Sequence, residues 1–239
     1  VMFTDDNFLL NVKRAMRIAE LLKEAGIKKH YSIQCRSDTI VNHPEVIHRL
    51  REVGLGHCFI GIEKIDEEGL RKVNKRNKLE NNEKAIAFLR KLGIGITASM
   101  IVDPDYGHAE FEKLRSYLKK HQIYTPFFTV LTPLPGTELF TKCKDMLTST
   151  DYELFDFLHA VLPTKLDAAE FYKEFAGLYR GAYPMGKVLR ERALGLLREI
   201  VTGRQNLWHI RRIVKGARVM SDPNWYLSMI PEYAASQKK

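Results

Sequence analysis

Cysteine is scarce in this chain. Cys35, Cys58 and Cys143 are the three thiols among 239 residues, far apart and odd in number. They exclude a disulfide framework and point to a reducing, cytoplasmic compartment. Long apolar runs are missing too: none reaches the roughly 18 residues that a membrane span requires. No leader-type segment opens the chain, because "VMFT" runs directly into Asp5 and Asp6. No glycine-rich phosphate fingerprint follows an apolar strand, so a Rossmann-type nucleotide site is weakly supported. The eight histidines are scattered, with no HExxH spacing and no Ser/His/Asp ordering. Internal repeats and low-complexity tracts are absent as well.

What remains is ordinary globular composition, 45% hydrophobic and 28% charged. The net charge of +9 is unevenly spread. From Arg180 onward twelve basic residues face four acidic ones, so the electrostatic character belongs to the C-terminal quarter. That asymmetry predicts a second part of the molecule with a different partner.

Strand and helix signals alternate over the first two-thirds. "VMFT", "HYSIQC", "HCFIGIE", "GITASMIV" and "PFFTV" read as strands. Between them Phe8, Val12, Ala15, Ala19 and Leu22 recur at helical spacing, with Asp5, Asp6 or Asn7 as the N-cap and Gly26 as the stop. "HPEVIHRLREVG" has Pro44 in its first turn and Gly54 at its end. "DEEGLRKVNK", "NNEKAIAFLRKLG" and "HAEFEKLRSYLKKH" complete the series. The rhythm predicts an α/β fold with about five parallel strands and right-handed crossovers, too few for a closed eight-stranded barrel. Beyond about Thr148 the pattern becomes helical: "TDYELFDFLHAVLPTKL" and "DAAEFYKEFAGLYRGAY" are aromatic-rich, and "GKVLRERALGLLREIV" and "QNLWHIRRIVKGARVM" are basic and amphipathic. Residues 1–147 and 148–239 are thus expected to form an α/β part and a helical extension.

In parallel α/β folds ligands gather at the carboxyl ends of strands. Here those ends carry Asp5, Asp6 and Asn7; Gln34, Arg36 and Asp38; Glu63; Ser99, Asp103 and Asp105; and Thr132 before "PLPGT". Simpler roles compete at each place. The acids can cap a helix, Arg36 and Asp38 can pair with each other, and the prolines can shape a turn. Glu63 resists such a reading, because a carboxylate at the rim of a buried strand is costly without a partner. Cys35 and Cys58 fit best as small buried hydrophobes.

"VMFTDDNF", "GIEKIDEEGLRKVNKRN", "SMIVDPDYGHAEF" and "VLTPLPGTELF" resemble, in order and spacing, the radical S-adenosylmethionine enzymes that carry a cobalamin-binding domain. "YELFDFLHAVLPTKL" and "EFYKEFAGLYR" are similar to the C-terminal extension of the hopanoid C-3 methylase type. The resemblance implies a partial (β/α) barrel with a helical C-terminal extension. Asp5, Asp6 and Asn7 would hold the methionine amino group of S-adenosylmethionine, and Arg36 its carboxylate. Glu63 would face the ribose hydroxyls. Ser99, Ile101 and Pro104 belong to the stretch packing near adenine, and Thr132 lies at the last strand end. Two positions depart from the pattern: Lys64 stands where serine is usual, and Asp103 where glycine is common.

The cluster-binding CxxxCxxC loop and the cobalamin domain have no counterpart here. The resemblance therefore implies the latter part of a longer, cobalamin- and 4Fe–4S-dependent protein, inactive by itself. The implied activity is methylation of an unactivated carbon of a polycyclic lipid. The aromatic run from Tyr152 to Tyr183 would wall its pocket, unless those rings are core, and the basic helices would lie on anionic membrane. A tetrapyrrole oxidative cyclase is the alternative within the chemistry. A nucleic-acid-binding or tRNA-modifying module is the alternative outside it, weakened by the lack of interleaved aromatics.

Overall fold

In a computed structural model the described residues are 1–72, 77–182, 215–216 and 218–230. The two basic helices expected after Gly186 lie almost wholly outside them, as does Tyr183.

The α/β reading holds. Strands β1 (Tyr31–Cys35), β2 (Leu55–Glu63), β3 (Gly95–Val102) and β4 (Pro126–Val130) form one sheet in the order β1-β2-β3-β4. The first two pairs are parallel, with Ile33 opposite Cys58 and Ile60 opposite Ala98. Ala98 N–H donates to the Thr125 carbonyl and Leu131 N–H to the Val102 carbonyl, so β4 runs the same way. The fifth expected strand shrinks to a bridge. Met2 pairs with Ser32, and a turn at Asp6 and Asn7 then carries the chain into a 3-10 turn at Phe8–Leu10.

By compactness the chain divides into two units. One comprises Val1–Ile101 with Tyr117–Phe128, the other Val102–Ser116 with Thr129 onward. In the first, helices α1 (Val12–Glu24), α2 (Ser37–Asn42), α3 (Pro44–Val53), α4 (Glu67–Lys72) and α5 (Leu79–Lys91) accompany the strands. Helix α1 packs on α3 and α2 on α5. The strands alternate cleanly: Ile33, Cys35, Cys58, Ile60, Ile62, Ala98 and Met100 are buried, whereas Gln34, Phe59, Gly61, Thr97 and Ser99 are only half-buried. One sheet face is thus closed by core and the other is left accessible.

Helix α3 forms as expected, with Pro44 at its start and Gly54 ending it at φ +117°. The cap of α1 does not. Asn11, rather than Asp5, Asp6 or Asn7, accepts the Arg14 N–H at 2.9 Å, because Phe8 sits in the preceding 3-10 turn. The three polar residues are thereby released from capping.

In the second unit the helix expected over "TDYELFDFLHAVLPTKL" is absent. Only a 3-10 turn forms at Tyr152–Leu154. Asp151 and Asp156 turn their carboxylates onto the N–H groups of Glu153, Leu158 and His159, and such local bonds compete with a helix. Helix α6 (His108–Lys120) joins the two units in sequence, and α7 (Glu138–Cys143) and α8 (Ala168–Ala182) follow in the second. Helix α9 (Pro223–Ser228) packs on α8, and its Tyr226 stacks on Tyr172 with centroids 5.3 Å apart. Phe171, Tyr172, Phe175 and Tyr179 are all buried. These four rings are core, the simpler of the two readings, whereas Tyr152 and Phe157 of the same run are exposed. Burial pushes the Tyr172 phenol up to about 12.

His159, fully buried, connects this cluster to the preceding loop through Asp156 Oδ2 at 2.9 Å and the Tyr226 carbonyl at 3.2 Å. Burial raises the Asp156 carboxyl, but bonds from His159 and from the Leu158 and His159 N–H groups outweigh it and hold the carboxyl below its ordinary value. A depressed folded value means stability that is present above the ordinary value of 3.8 and is lost as pH falls through the folded one. The gap in Tm between the wild type and Asp156→Asn should accordingly close as pH falls below about 4, as read by calorimetry. A gap that is constant with pH would show that the carboxylate has no preferential partner. Among the described residues no helix is long and apolar enough to cross a membrane.

Candidate functional site

The site begins where β1 ends. Arg36 follows Cys35 with an extended backbone and leads into α2. Its fork grips Asp38 twice, Nε to Oδ1 at 3.0 Å and Nη2 to Oδ2 at 2.7 Å. The Thr39 N–H also donates to Asp38 at 2.9 Å, so the carboxylate is itself fixed. The expected mutual pair therefore exists, and it orients the guanidinium. Arg36 is held more firmly protonated by the Asp38 bond, against a partly opposing burial, and further by the charges of Asp38 and Glu63.

Glu63 ends β2 in an unusual backbone state, at φ +65°. The Lys64 N–H reaches back to the Ile62 carbonyl at 2.9 Å. A two-residue bond closed across a residue with positive φ is a γ-turn of the rare, strained kind. The same point breaks the β2/β3 register, since Gly61 pairs with Ser99 and Glu63 already with Met100. Non-glycine residues in such conformations cost about 1–3 kcal/mol and gather at functional sites. Ser99 and Ile101 lie half-buried on β3.

At the N-terminal edge Asp5 pairs with Arg14 at 2.8 Å, and Asp6 is exposed. Asn7 is more informative: its Oδ1 is buried without a hydrogen-bond donor. A buried acceptor left unsatisfied is costly, and an ammonium ligand would satisfy it. Asp5, Asp6, Asn7, Arg36, Glu63, Ser99 and Ile101 all fall in the first unit, whereas Pro104 and Thr132 fall in the second. Pro104 is buried and accepts the Lys165 N–H at 3.0 Å. Thr132, 8% exposed, donates its hydroxyl to the Val130 carbonyl at 2.9 Å.

The residues of the first unit suit S-adenosylmethionine: an orphaned acceptor for its ammonium, an oriented guanidinium for its carboxylate, and a carboxylate for its hydroxyls. They do not suit an iron–sulfur cluster. The three cysteines are free and buried, and Cys35 is held as a thiol by its bond with Cys58 and by burial. Among the described residues no group of three or more His, Cys, Asp or Glu side chains could hold a metal.

Residues 1–118 match the radical SAM superfamily, so this part of the chain is a radical SAM domain. Over its whole length the chain is 32% identical to the hopanoid C-3 methylase of Methylococcus capsulatus, of which it spans 48%. It is 30% identical to the bacteriochlorophyllide d C-8(2)-methyltransferase of Chlorobaculum tepidum, over 67% of this chain and 36% of that protein. The chain thus spans about half, or less, of the curated relatives it matches. A solved structure of OxsB, a cobalamin-dependent S-adenosylmethionine radical enzyme with aqua-cobalamin bound, shares the fold. Its TM-score is 0.54 at 14% identity, covering 99% of this chain and 46% of that one.

Two residues at the site escaped the sequence reading as participants. Lys64 stood out only as a departure from the family pattern, and Asn82 was passed over within a helix. Asn82 nevertheless had a signal: it shares the spacing of Ala85, Ile86 and Leu89, the buried face of α5.

Proposed function

We propose that this chain forms one wall of an S-adenosylmethionine site in a radical SAM methyltransferase whose substrate is a hopanoid-like polycyclic lipid. The observation that carries the reading is the juxtaposition of opposite charges at neighbouring strand ends. Arg36 is fixed by Asp38 and lies within the field of Glu63, which is presented on a strained turn. Such an arrangement suits a zwitterionic ligand with a hydroxylated ring. Arg36 takes the carboxylate, Asn7 with Asp6 takes the ammonium, and Glu63 accepts from the ribose hydroxyls. Ser99 and Ile101 on β3 supply the adenine-facing stretch. When bound, S-adenosylmethionine, a 4Fe–4S cluster and cobalamin would supply the one-electron chemistry and the methyl group. The cluster and cobalamin would be held by other parts of a longer protein.

The lipid assignment is supported by the similarity of this whole chain to part of a hopanoid C-3 methylase. A tetrapyrrole substrate is the second reading, supported by the similarity to a bacteriochlorophyllide methyltransferase. Expression of the longer protein in a hopanoid-producing host should yield hopanoids bearing one additional methyl group, detected by mass spectrometry. Unchanged hopanoids together with a modified tetrapyrrole would transfer the assignment to the second reading.

For the site itself, Glu63→Gln is expected to weaken S-adenosylmethionine binding by about tenfold, since hydrogen bonds to a charged partner contribute about 1.5–3 kcal/mol. Titration calorimetry measures it. Unchanged affinity would remove Glu63 from the site.

A further inference from the structure

The Ile62 carbonyl, which closes the turn at Glu63, has a second donor. Asn82 Nδ2 reaches it from α5 at 3.3 Å. Asn82 is fully buried, and its amide is satisfied on both sides. Its Oδ1 accepts from Ser37 Oγ at 2.5 Å and from Asn77 Nδ2 at 3.0 Å. Asn77 Nδ2 also donates to Ser37 Oγ at 2.6 Å. Ser37 directly follows Arg36, and Ile62 directly precedes Glu63. One buried amide therefore ties together the two backbone points from which the charged groups of the site depart.

Lys64 holds the other side of the turn. It is only 2% exposed, and its ammonium donates to the Ile101 carbonyl on β3 at 2.9 Å. Gly69 packs so closely on its stem that a Cβ there would lie 2.9 Å from Lys64 Cβ. A buried lysine is costly to maintain unless it is hydrogen-bonded, and the bond to Ile101 joins the end of β2 to β3. Backbone strain persists only where surrounding structure over-determines it. Here Asn82 and Lys64 do so from opposite sides of one residue.

We propose that Asn82 and Lys64 are positioning residues that clamp the strained turn at Glu63 and so set how its carboxylate meets a ribose. The inference rests on the assignment of Glu63 to ribose hydroxyls made above. It distinguishes two lysine roles, because Lys64 acts on the backbone of the neighbouring strands rather than on the ligand. It also gives Lys64, in place of the usual serine, a function in this chain.

The test is calorimetric titration of the chain with 5′-methylthioadenosine and with its 2′-deoxy counterpart. The readout is the ratio of the two dissociation constants. Wild-type protein is expected to favour the hydroxylated ligand by about tenfold, and Glu63→Gln to erase that preference. Asn82→Ala and Lys64→Met should each reduce the preference several-fold while changing the affinity for the deoxy ligand less than twofold. Combined with Glu63→Gln, neither should reduce it further, because residues acting through one group are not additive.

Equal weakening of both ligands, with the preference intact, would make Asn82 and Lys64 merely structural and overturn the proposal. A wild-type protein without preference, or a Glu63→Gln variant that keeps it, would overturn the ribose assignment and the clamp with it. Should Asn82→Ala fail to fold by circular dichroism, Lys64→Met decides alone.

Discussion

Gly54→Ala is expected to lower Tm by about 5–10 °C, read by scanning calorimetry. Two costs add at this position. Gly54 has φ +117°, which disfavours any residue with a Cβ, by roughly 1–2 kcal/mol in left-handed conformations. A Cβ there would also lie 1.9 Å from the Lys29 carbonyl oxygen, a backbone atom that cannot swing aside. Forced repacking typically costs a further 1–3 kcal/mol or so. Gly26 provides the control: its φ is +64°, but nothing lies within 4 Å of the place a methyl would occupy. Gly26→Ala should therefore lose only the conformational part, about 1 kcal/mol. Similar losses at both positions would refute the close approach at Gly54. The position matters beyond stability, because the Gly54 carbonyl accepts the Tyr31 N–H at 3.0 Å where β1 and β2 begin to pair. After a shift between Tyr31 and Ser32 the pairing continues to Cys35 opposite Ile60, next to Arg36.

Tyr172→Ala should destabilise the second unit by about 3–5 kcal/mol, the range for removing a large buried aromatic side chain. Tyr172 is 1% exposed and lies between Tyr226, stacked at 5.3 Å, and Phe171, edge-on at 5.4 Å. Its hydroxyl oxygen also accepts the Ala160 N–H at 2.8 Å, so truncation strands a donor as well as opening a cavity. Tyr172→Phe isolates the second effect, at about 1–3 kcal/mol. Urea unfolding followed by tryptophan fluorescence distinguishes the two. Equal losses for both variants would mean that the hydroxyl, and not the ring stack, holds the cluster.

The fold was legible wherever a short-range signal coincided with burial. "HPEVIHRLREVG" carries a proline start, a helical stripe and a glycine stop, and α3 matches all three. "FIGIE" alternates faces because one side of the sheet is covered and the other is not. The loop around Asp156 was misread for a definite reason. Its apolar residues have helical spacing, but Phe157 takes φ +66° and the neighbouring aspartates bond to their own backbone. Periodicity records which residues seek burial and not which backbone carries them there. At α1 the cap shifted to Asn11 because nothing in the sequence announces the 3-10 turn before it.

The candidate site was legible as a set of strand ends and no further. Arg36, Asp38 and Glu63 could be named from their places after apolar runs. Their mutual arrangement depends on Asn82, which is distant in sequence and joins Ile62 to Ser37 through its side chain. Long-range side-chain bonds leave no periodic trace, so only the oddity of an amide on a buried helical face marks them.

The backbone at Glu63 sets two demands against each other. Glycine accepts φ +65° freely, so heat resistance alone would favour glycine at position 63, at the expense of the carboxylate. Under the proposed ribose contact, binding favours the acid and leaves its strain in place. A library sorted first for robustness would then discard the carboxylate which that contact needs, and one sorted first for binding would retain a chain less stable than its scaffold permits.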